Sequence, residues 1–437
     1  MNQTANQVDR VTGLMRFRQY AKRWLPSVVQ KSLHVAEDTF HFRLYRPSHL
    51  QLWLRDRWGQ PVATKKTTEQ SRAVYQHALV DWLKRAQDAV PGGGVAGYYA
   101  LADGWSAAYP ETTGYIIVTC LEAATRWHDP ELADRAQRMV EWELAVQMPE
   151  GAWQSGFVTT PRVPAVFNTG QVIQGLLAAF EAFGESRYLE AAARGGQWLV
   201  HNQDEDGAWR RHTYNNFPNS YATRVAWPLV TLAQMTGDTA FHRTALRYLA
   251  WASRCQTENG WIEQCTLEVG EPALTHTLAY TIEGFIESGV LLGNERWIAI
   301  GKKTADALLH RYEIRRHLAG TYDKEWRGDH SFACVTGCAQ MSRVWGRLFE
   351  LTGDARYLNA ALKMNDFVTR LIDLHSRCPG IRGGVKGSQP IWGPYMTGRL
   401  PSWAVKFTLD ALFQEDDMLA SLKGDAVEHY DSVRIPQ

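Results

Sequence analysis

Several familiar signatures are missing from this chain. Its six cysteines (Cys120, Cys255, Cys265, Cys334, Cys338 and Cys378) form no CxxC pair, and a chain of 437 residues needs no disulfides to hold a core. Its net charge, +1 at pH 7, gives no reason to expect a nucleic acid as partner. No run is long and apolar enough to span a bilayer, and the first ten residues lack the apolar core of a signal peptide, so a cytoplasmic protein is expected. Strand-like alternation is confined to short pieces near residues 40–55, 153–160 and 380–395. His330, Cys334 and Cys338 have a spacing that suits zinc but lack a fourth ligand, so neither a metal nor a cofactor is expected.

Tryptophan and a repeat are abundant instead. Many of the eighteen tryptophans stand beside Gly, Asp or Asn, which suits a lined cleft as well as a core. The stretch Gly196–Trp209 has shorter versions at Gln147–Trp153 and Gln256–Trp261, and each closes a helix carrying Trp142, Trp198 or Trp251. Outer helices begin with a glycine followed four residues later by an aromatic: Gly184 and Tyr188, Gly237 and Phe241, Gly293 and Trp297, Gly353 and Tyr357. With Leu132 in the same register, the steps are 56, 53, 56 and 60 residues. More apolar helices fall between them, at 169–183, 222–235, 274–289 and 334–351. Alternating apolar and amphipathic helices are what a ring requires when inner helices are surrounded and outer ones face water. With Trp82 marking a sixth unit, the expected fold is all-α, an (α/α)6 toroid over 69–437.

Residues 1–68 read differently. Arg16, Arg18, Lys22, Arg23 and Lys31 are interleaved with Phe17, Tyr20, Trp24, Leu25 and Val28, and an aromatic segment follows. This extension is expected to pack on the toroid, with peripheral contact to an anionic membrane surface as the alternative.

In a helical toroid, the loops entering the inner helices converge on one rim. There the sequence places Tyr109, Glu111 and Tyr115; Asn168 and Gln171; Tyr221, Arg224 and Trp227; His276 and Tyr280; and Trp403 and Lys406. Capping explains the small polar residues of these turns. It does not explain Glu111, Arg224, His276 or Lys406, which are costly to bury without partners.

The glycine-tryptophan repeats are similar to the QW motifs of terpenoid cyclases, although the acidic Asp-x-Asp-Asp motif of those enzymes is absent. Tyr109-Pro-Glu-Thr-Thr-Gly-Tyr115, Asn168-Thr-Gly-Gln171, Trp392-Gly-Pro-Tyr395 and Pro401-Ser-Trp-Ala-Val-Lys-Phe407 resemble the VpsJ-type proteins of bacterial exopolysaccharide clusters. That resemblance spans about 75–413 and implies a six-hairpin toroid and a role in polysaccharide production.

The loop His212–Arg224 resembles, in residue types, the Asn, His, Tyr and Arg sets of toroid-type polysaccharide lyases and uronosyl epimerases. Removing the C5 proton of a uronic acid requires a neutralised carboxylate and a nearby base. Arg224 with Asn215 or Asn216 suits the first need, and Tyr221 or His212 the second; His276, Tyr280 or Tyr109 would be the second acid. The expected partner is therefore a glycan, as a polymer or a lipid-linked oligosaccharide, stacked on Trp105, Trp227, Tyr322, Trp326, Trp392, Tyr395 and Trp403. Three alternatives remain at this stage. They are a glycoside hydrolase pairing Glu111 with Asp103, Asp323 or Glu325, a non-catalytic glycan binder, and a terpenoid-cyclase-like enzyme.

Overall fold

A computed structural model describes residues 39–40, 42–58, 69–158 and 161–432. The basic arm at 16–31 lies outside them. The chain divides into two units, 1–59 and 60–437. Within the first, α1 (Pro47–Trp58) is a helix, where alternation had suggested extended chain. Phe42 and Leu52 are buried, while Phe40, Tyr45 and Trp58 are exposed.

The second unit alternates outer and inner helices. The outer set is α2 (Glu69–Asp88), α4 (Pro130–Val146), α6 (Ser186–Asn202), α8 (Thr239–Ser253), α10 (Glu295–Arg315) and α12 (Ala355–Arg370). The inner set is α3 (Pro110–Trp127), α5 (Val166–Phe183), α7 (Thr223–Thr236), α9 (Thr275–Leu291), α11 (Val335–Thr352) and α13 (Ser402–Ser432). Each inner helix packs on the next, and α13 returns to α3, so the ring closes. The sixth hairpin joins the two ends of the unit: α2 packs on α13. The fold is an (α/α)6 toroid. Among the described residues, no helix is long and apolar enough to cross a membrane.

Local chemistry sets the helix ends. Gly184, Gly237 and Gly353 terminate inner helices in the left-handed conformation at φ 71°, 72° and 70°. Asp129, Asp238, Asn294 and Asp354 then cap the following outer helices, each accepting from the backbone N–H two residues on.

The glycine-tryptophan stretches bolt neighbouring outer helices together. Gln147 Nε2 donates to the carbonyls of Gly151 and Ala191, and Gln203 Nε2 to those of Gly207 and Thr244, all at 2.9 Å. Gln87 repeats this from α2 to α4, and Gln256 from α8 to α10. Trp153 and Trp209 each donate to the carbonyl ten residues back, on Glu143 and Leu199. Gly207 has φ 95°, and a Cβ there would lie 2.5 Å from the Arg247 carbonyl oxygen, so only glycine fits. The ring closes by the same means, with Trp82 Nε1 donating to Gly380 O at 2.8 Å.

Short strand pairs tie the rim at the N-terminal ends of the inner helices. β1 (Tyr98–Ala100) pairs with β2 (Gly104–Trp105) and β8 (Arg399–Pro401), linking the approaches to α3 and α13. β3 (Ala273–Leu274), β4 (Thr321–Tyr322) and β5 (Gly328–Asp329) form a second sheet, and β6 (Ala333–Cys334) pairs with β7 (Ser388–Gln389).

Replacing Gln203 with Ala removes one hydrogen bond to α8 and one within the loop, and strands both carbonyls. It is expected to cost about 2 kcal/mol in denaturant unfolding, and an unchanged midpoint would show that the clamp does not hold α6 to α8.

Candidate active site

The first turns of the inner helices bring most of the rim candidates to the axis. Glu111 enters from α3 and accepts a 2.7 Å hydrogen bond from the Tyr109 hydroxyl. Burial raises its carboxyl to about pKa 7, against the opposing pull of Tyr109 and the Arg224 charge. His276, on α9, is buried, and its Nδ1 lies 2.5 Å from Gln340 Oε1. If that oxygen accepts, Nδ1 carries the proton and Nε2 keeps its lone pair. Burial lowers the imidazole to about pKa 4, so it is neutral at physiological pH. Three steps around the ring separate α3 from α9, so Glu111 and His276 enter from opposite sides.

Aromatic rings line the space around them. Contacts run from Tyr98 to Phe157 to Tyr109 to Trp403, with centroids 5.7–6.4 Å apart. Trp403 Nε1 donates to the Tyr395 hydroxyl at 2.8 Å, and Tyr395 continues through His276 and Tyr280 to Phe167 and Tyr221. The charge of Glu111 acts on Tyr115, Tyr221 and Tyr280, and burial holds all three phenols above their ordinary range.

Two buried donors here, Arg224 Nη2 and Gln340 Nε2, make no hydrogen bond, and the Tyr115 and Tyr280 hydroxyls have only each other, in a pairing too loose to satisfy either fully. An orphaned buried donor costs about 1–3 kcal/mol, so these two, with the loosely paired hydroxyls beside them, form a set suited to oxygen-rich ligand groups.

Arg224 is not the free cation anticipated from the sequence. It is fully buried, with Nε donating to Gln171 Oε1 at 2.9 Å and Nη1 paired with Glu283. Burial opposes ionisation of Glu283, but Arg224, Arg343 and Lys406 together outweigh it and hold its carboxyl below the usual range. Lys406 contacts Asp410 at 2.5 Å, and burial lowers its ammonium to about pKa 8. Asp410 also accepts from Thr119 and Arg343, completing a ladder of charges across the hub. Its other members, Glu283, Arg343 and Asp410, lie mid-helix, where the rim reading did not look; the signal was a charge within an otherwise apolar inner helix.

Other candidates fall elsewhere. Asn215 and Asn216 are exposed, the first bonded to Leu267 O at 3.1 Å and the second accepting from His212 N–H. His212 packs at a tilt against Trp198, so none of the three joins buried Arg224. Asn168 donates to Gln154 O at 2.7 Å, which fixes the loop before α5. Trp105 packs on Trp82 and Tyr99, and Trp392 lies half-buried between β7 and β8. Tyr322 and Trp326 are buried with Trp261, and Trp326 Nε1 donates to Asn259 O, so they extend the repeat rather than face a ligand. Trp227 and Lys406, one turn into α7 and α13, line the inner wall of a cavity that opens toward the far ends of the inner helices. Asp103 is exposed, and Asp323 and Glu325 pair with Arg327. His330 is exposed beside His317, while Cys334 and Cys338 are buried, so these three do not form one cluster.

The Squalene-hopene cyclase C-terminal domain model matches residues 111–283, from Glu111 to Glu283. No curated protein matches the chain. Among solved structures, a sugar epimerase from a ruminal bacterium superposes with a TM-score of 0.66 at 13% identity, covering 78% of this chain and 97% of that one. An unsaturated glucuronyl hydrolase specific for heparin gives 0.65 at 14% identity, covering 81% and 99%. Cellobiose 2-epimerase from Bacillus thermoamylovorans B4167 gives 0.63 at 12% identity, covering 79% and 98%. At these identities the likeness establishes the shared toroid and leaves the reaction to the residues.

The elevated Glu111 carboxyl has a signed consequence for stability. Below about pH 4.5 it is protonated in both folded and unfolded chains, whereas above about pH 7 the folded chain must hold a buried charge. Glu111→Gln is therefore expected to melt higher than the wild type at pH 8, an advantage that fades by pH 4. An equal difference at both pH values would contradict the assignment.

Proposed function

We propose that the protein is an enzyme acting on a uronic-acid-containing glycan by proton removal at C5. The carrying observation is the placement of neutral His276 and half-protonated Glu111 on opposite inner helices around unsatisfied donors. His276 Nε2 would take the C5 proton, and the electron pair left behind would move onto the carboxyl group as an enolate. Arg224 Nη2, Gln340 Nε2 and the Tyr115 and Tyr280 hydroxyls supply hydrogen bonds to such an oxygen-centred charge. Glu111 would then return a proton. Delivery to C5 from the opposite face gives the epimer, and delivery to the departing C4 oxygen gives cleavage.

The structural likeness to a sugar epimerase and a glucuronyl hydrolase supports a sugar substrate, and the VpsJ-type resemblance supports a role in exopolysaccharide production. A hydrolase with paired carboxylates is less favoured, because Asp323 and Glu325 spend their charge on Arg327 and Asp103 is exposed. The cyclase model match favours a second reading, isoprenoid cyclisation within the aromatic lining. A hydrocarbon, however, would leave Arg224 Nη2 and Gln340 Nε2 unsatisfied.

Incubation with uronate polymers in deuterated water is the test. The expected result is deuterium at C5, with chain length unchanged for an epimerase or a new ultraviolet-absorbing double bond for a lyase. The kcat/KM profile should rise near pH 4 as His276 deprotonates and fall near pH 7 as Glu111 ionises. His276→Gln should lower kcat about 10²- to 10⁴-fold. New reducing ends without deuterium or absorbance would indicate hydrolysis, and absence of turnover with retained binding would indicate a binding protein.

A further inference from the structure

The far end of the toroid holds a second polar cavity of about 340 Å³, to which all six inner helices contribute side chains. Glu122, on its outer wall, is eleven residues beyond Glu111 on α3, roughly 17 Å along the helix, while Trp227 and Lys406 carry the cavity's inner wall up to Arg224 and Tyr115 at the hub. Glu283, Arg343, Lys406 and Asp410 of the charge ladder form part of its wall.

The lining is acidic. Six carboxylates (Glu122, Glu283, Glu287, Glu350, Asp410 and Asp417) face Arg343, Arg347 and Lys406. Arg126 and Arg224 reach Glu122, Asp417 and Glu283 from outside the lining, which still leaves an anionic excess. The inner helices also run toward this end, adding the negative ends of their dipoles. Burial raises the carboxyls of Glu122 and Glu287 in spite of the neighbouring arginines.

One acceptor in the wall, Gln174 Oε1, is unfilled and a second, Glu283 Oε1, is held only by an ion pair, beside one unpartnered donor, Arg343 Nε. Glu283 is 5% exposed, and its Oε1 closes no hydrogen bond, lying 3.4 Å from Arg343 Nη1. Gln174 Oε1, on α5, is buried and has no partner. Trp227 offers an aromatic face, and Val118, Ile286 and Val344 give the cavity an apolar side. Among the described residues, no three His, Cys, Asp or Glu side chains are gathered as a metal would require.

We propose that this cavity binds a small organic cation, an alkyl ammonium or guanidinium compound. The cationic head would donate to Glu283 Oε1, Gln174 Oε1 and Glu287, and the alkyl stem would lie against Trp227 and Ile286. This proposal is independent of the chemistry at Glu111.

Titration calorimetry on the full chain tests it, with putrescine and agmatine as probes and acetate and glucose as controls. Saturable binding of the amines alone is expected, weakened at least tenfold in Glu287→Gln and by added salt, and unchanged in Glu111→Gln. Should Glu287→Gln fail to fold, Gln174→Met removes an acceptor without altering charge and should also weaken binding. No saturable amine binding, equal affinity in the folded variants, or preference for acetate or glucose would overturn the proposal. Loss of glycan turnover in Glu111→Gln with amine binding intact would separate the two sites.

Discussion

A guanidinium at the axis of a helical ring must be neutralised, and the pairing of Arg224 with Glu283 is the constraint on which the rest of this structure depends. Arg224 is fully buried on α7, and Glu283 meets it from α9. Removing one partner of such a pair typically costs about 3–5 kcal/mol, because the other charge is left buried and alone. The pair therefore fixes the register of two inner helices. Close backbone packing does the same: a Cβ at Gly284, beside Glu283, would lie 2.3 Å from the Thr223 carbonyl carbon.

The consequences run to both mouths of the ring. Arg224 spends most of its charge on Glu283, so Glu111 feels burial more than attraction and remains protonatable near neutral pH. Glu283 in turn shares Arg343 with Asp410, and Asp410 holds Lys406, so the hub is electrostatically closed between the aromatic mouth and the far cavity. Stability and chemistry are thus divided between layers. Gln and Trp clamps join the outer helices, while the inner helices carry the charges and orphaned donors.

The fold was legible because its signals are local. Gly184, Gly237 and Gly353 mark helix ends, Asp238 and Asp354 cap the next helices, and Gln147, Gln203 and Gln256 announce the clamps. The helix at 47–58 was missed because its alternating residues suit either state. The site was legible only in part. Convergence of Glu111, Tyr115, Arg224, His276 and Tyr280 on the hub follows from helix order alone. The partner of Arg224 lies 59 residues away, on a different helix, and no local pattern specifies it. Tyr322 and Trp326 were read as sugar-stacking groups because an aromatic in a loop looks the same from sequence whether it faces a cleft or packs on Trp261.

The most direct measurement is a crystal or cryo-EM structure of the inactive His276→Gln protein with a bound uronate oligosaccharide. The expected result is a sugar ring between Glu111 and residue 276, its carboxyl group hydrogen-bonded to Arg224 Nη2 or to the Tyr115 and Tyr280 hydroxyls. A saccharide on the outer helices, with those donors still unfilled, would contradict the account.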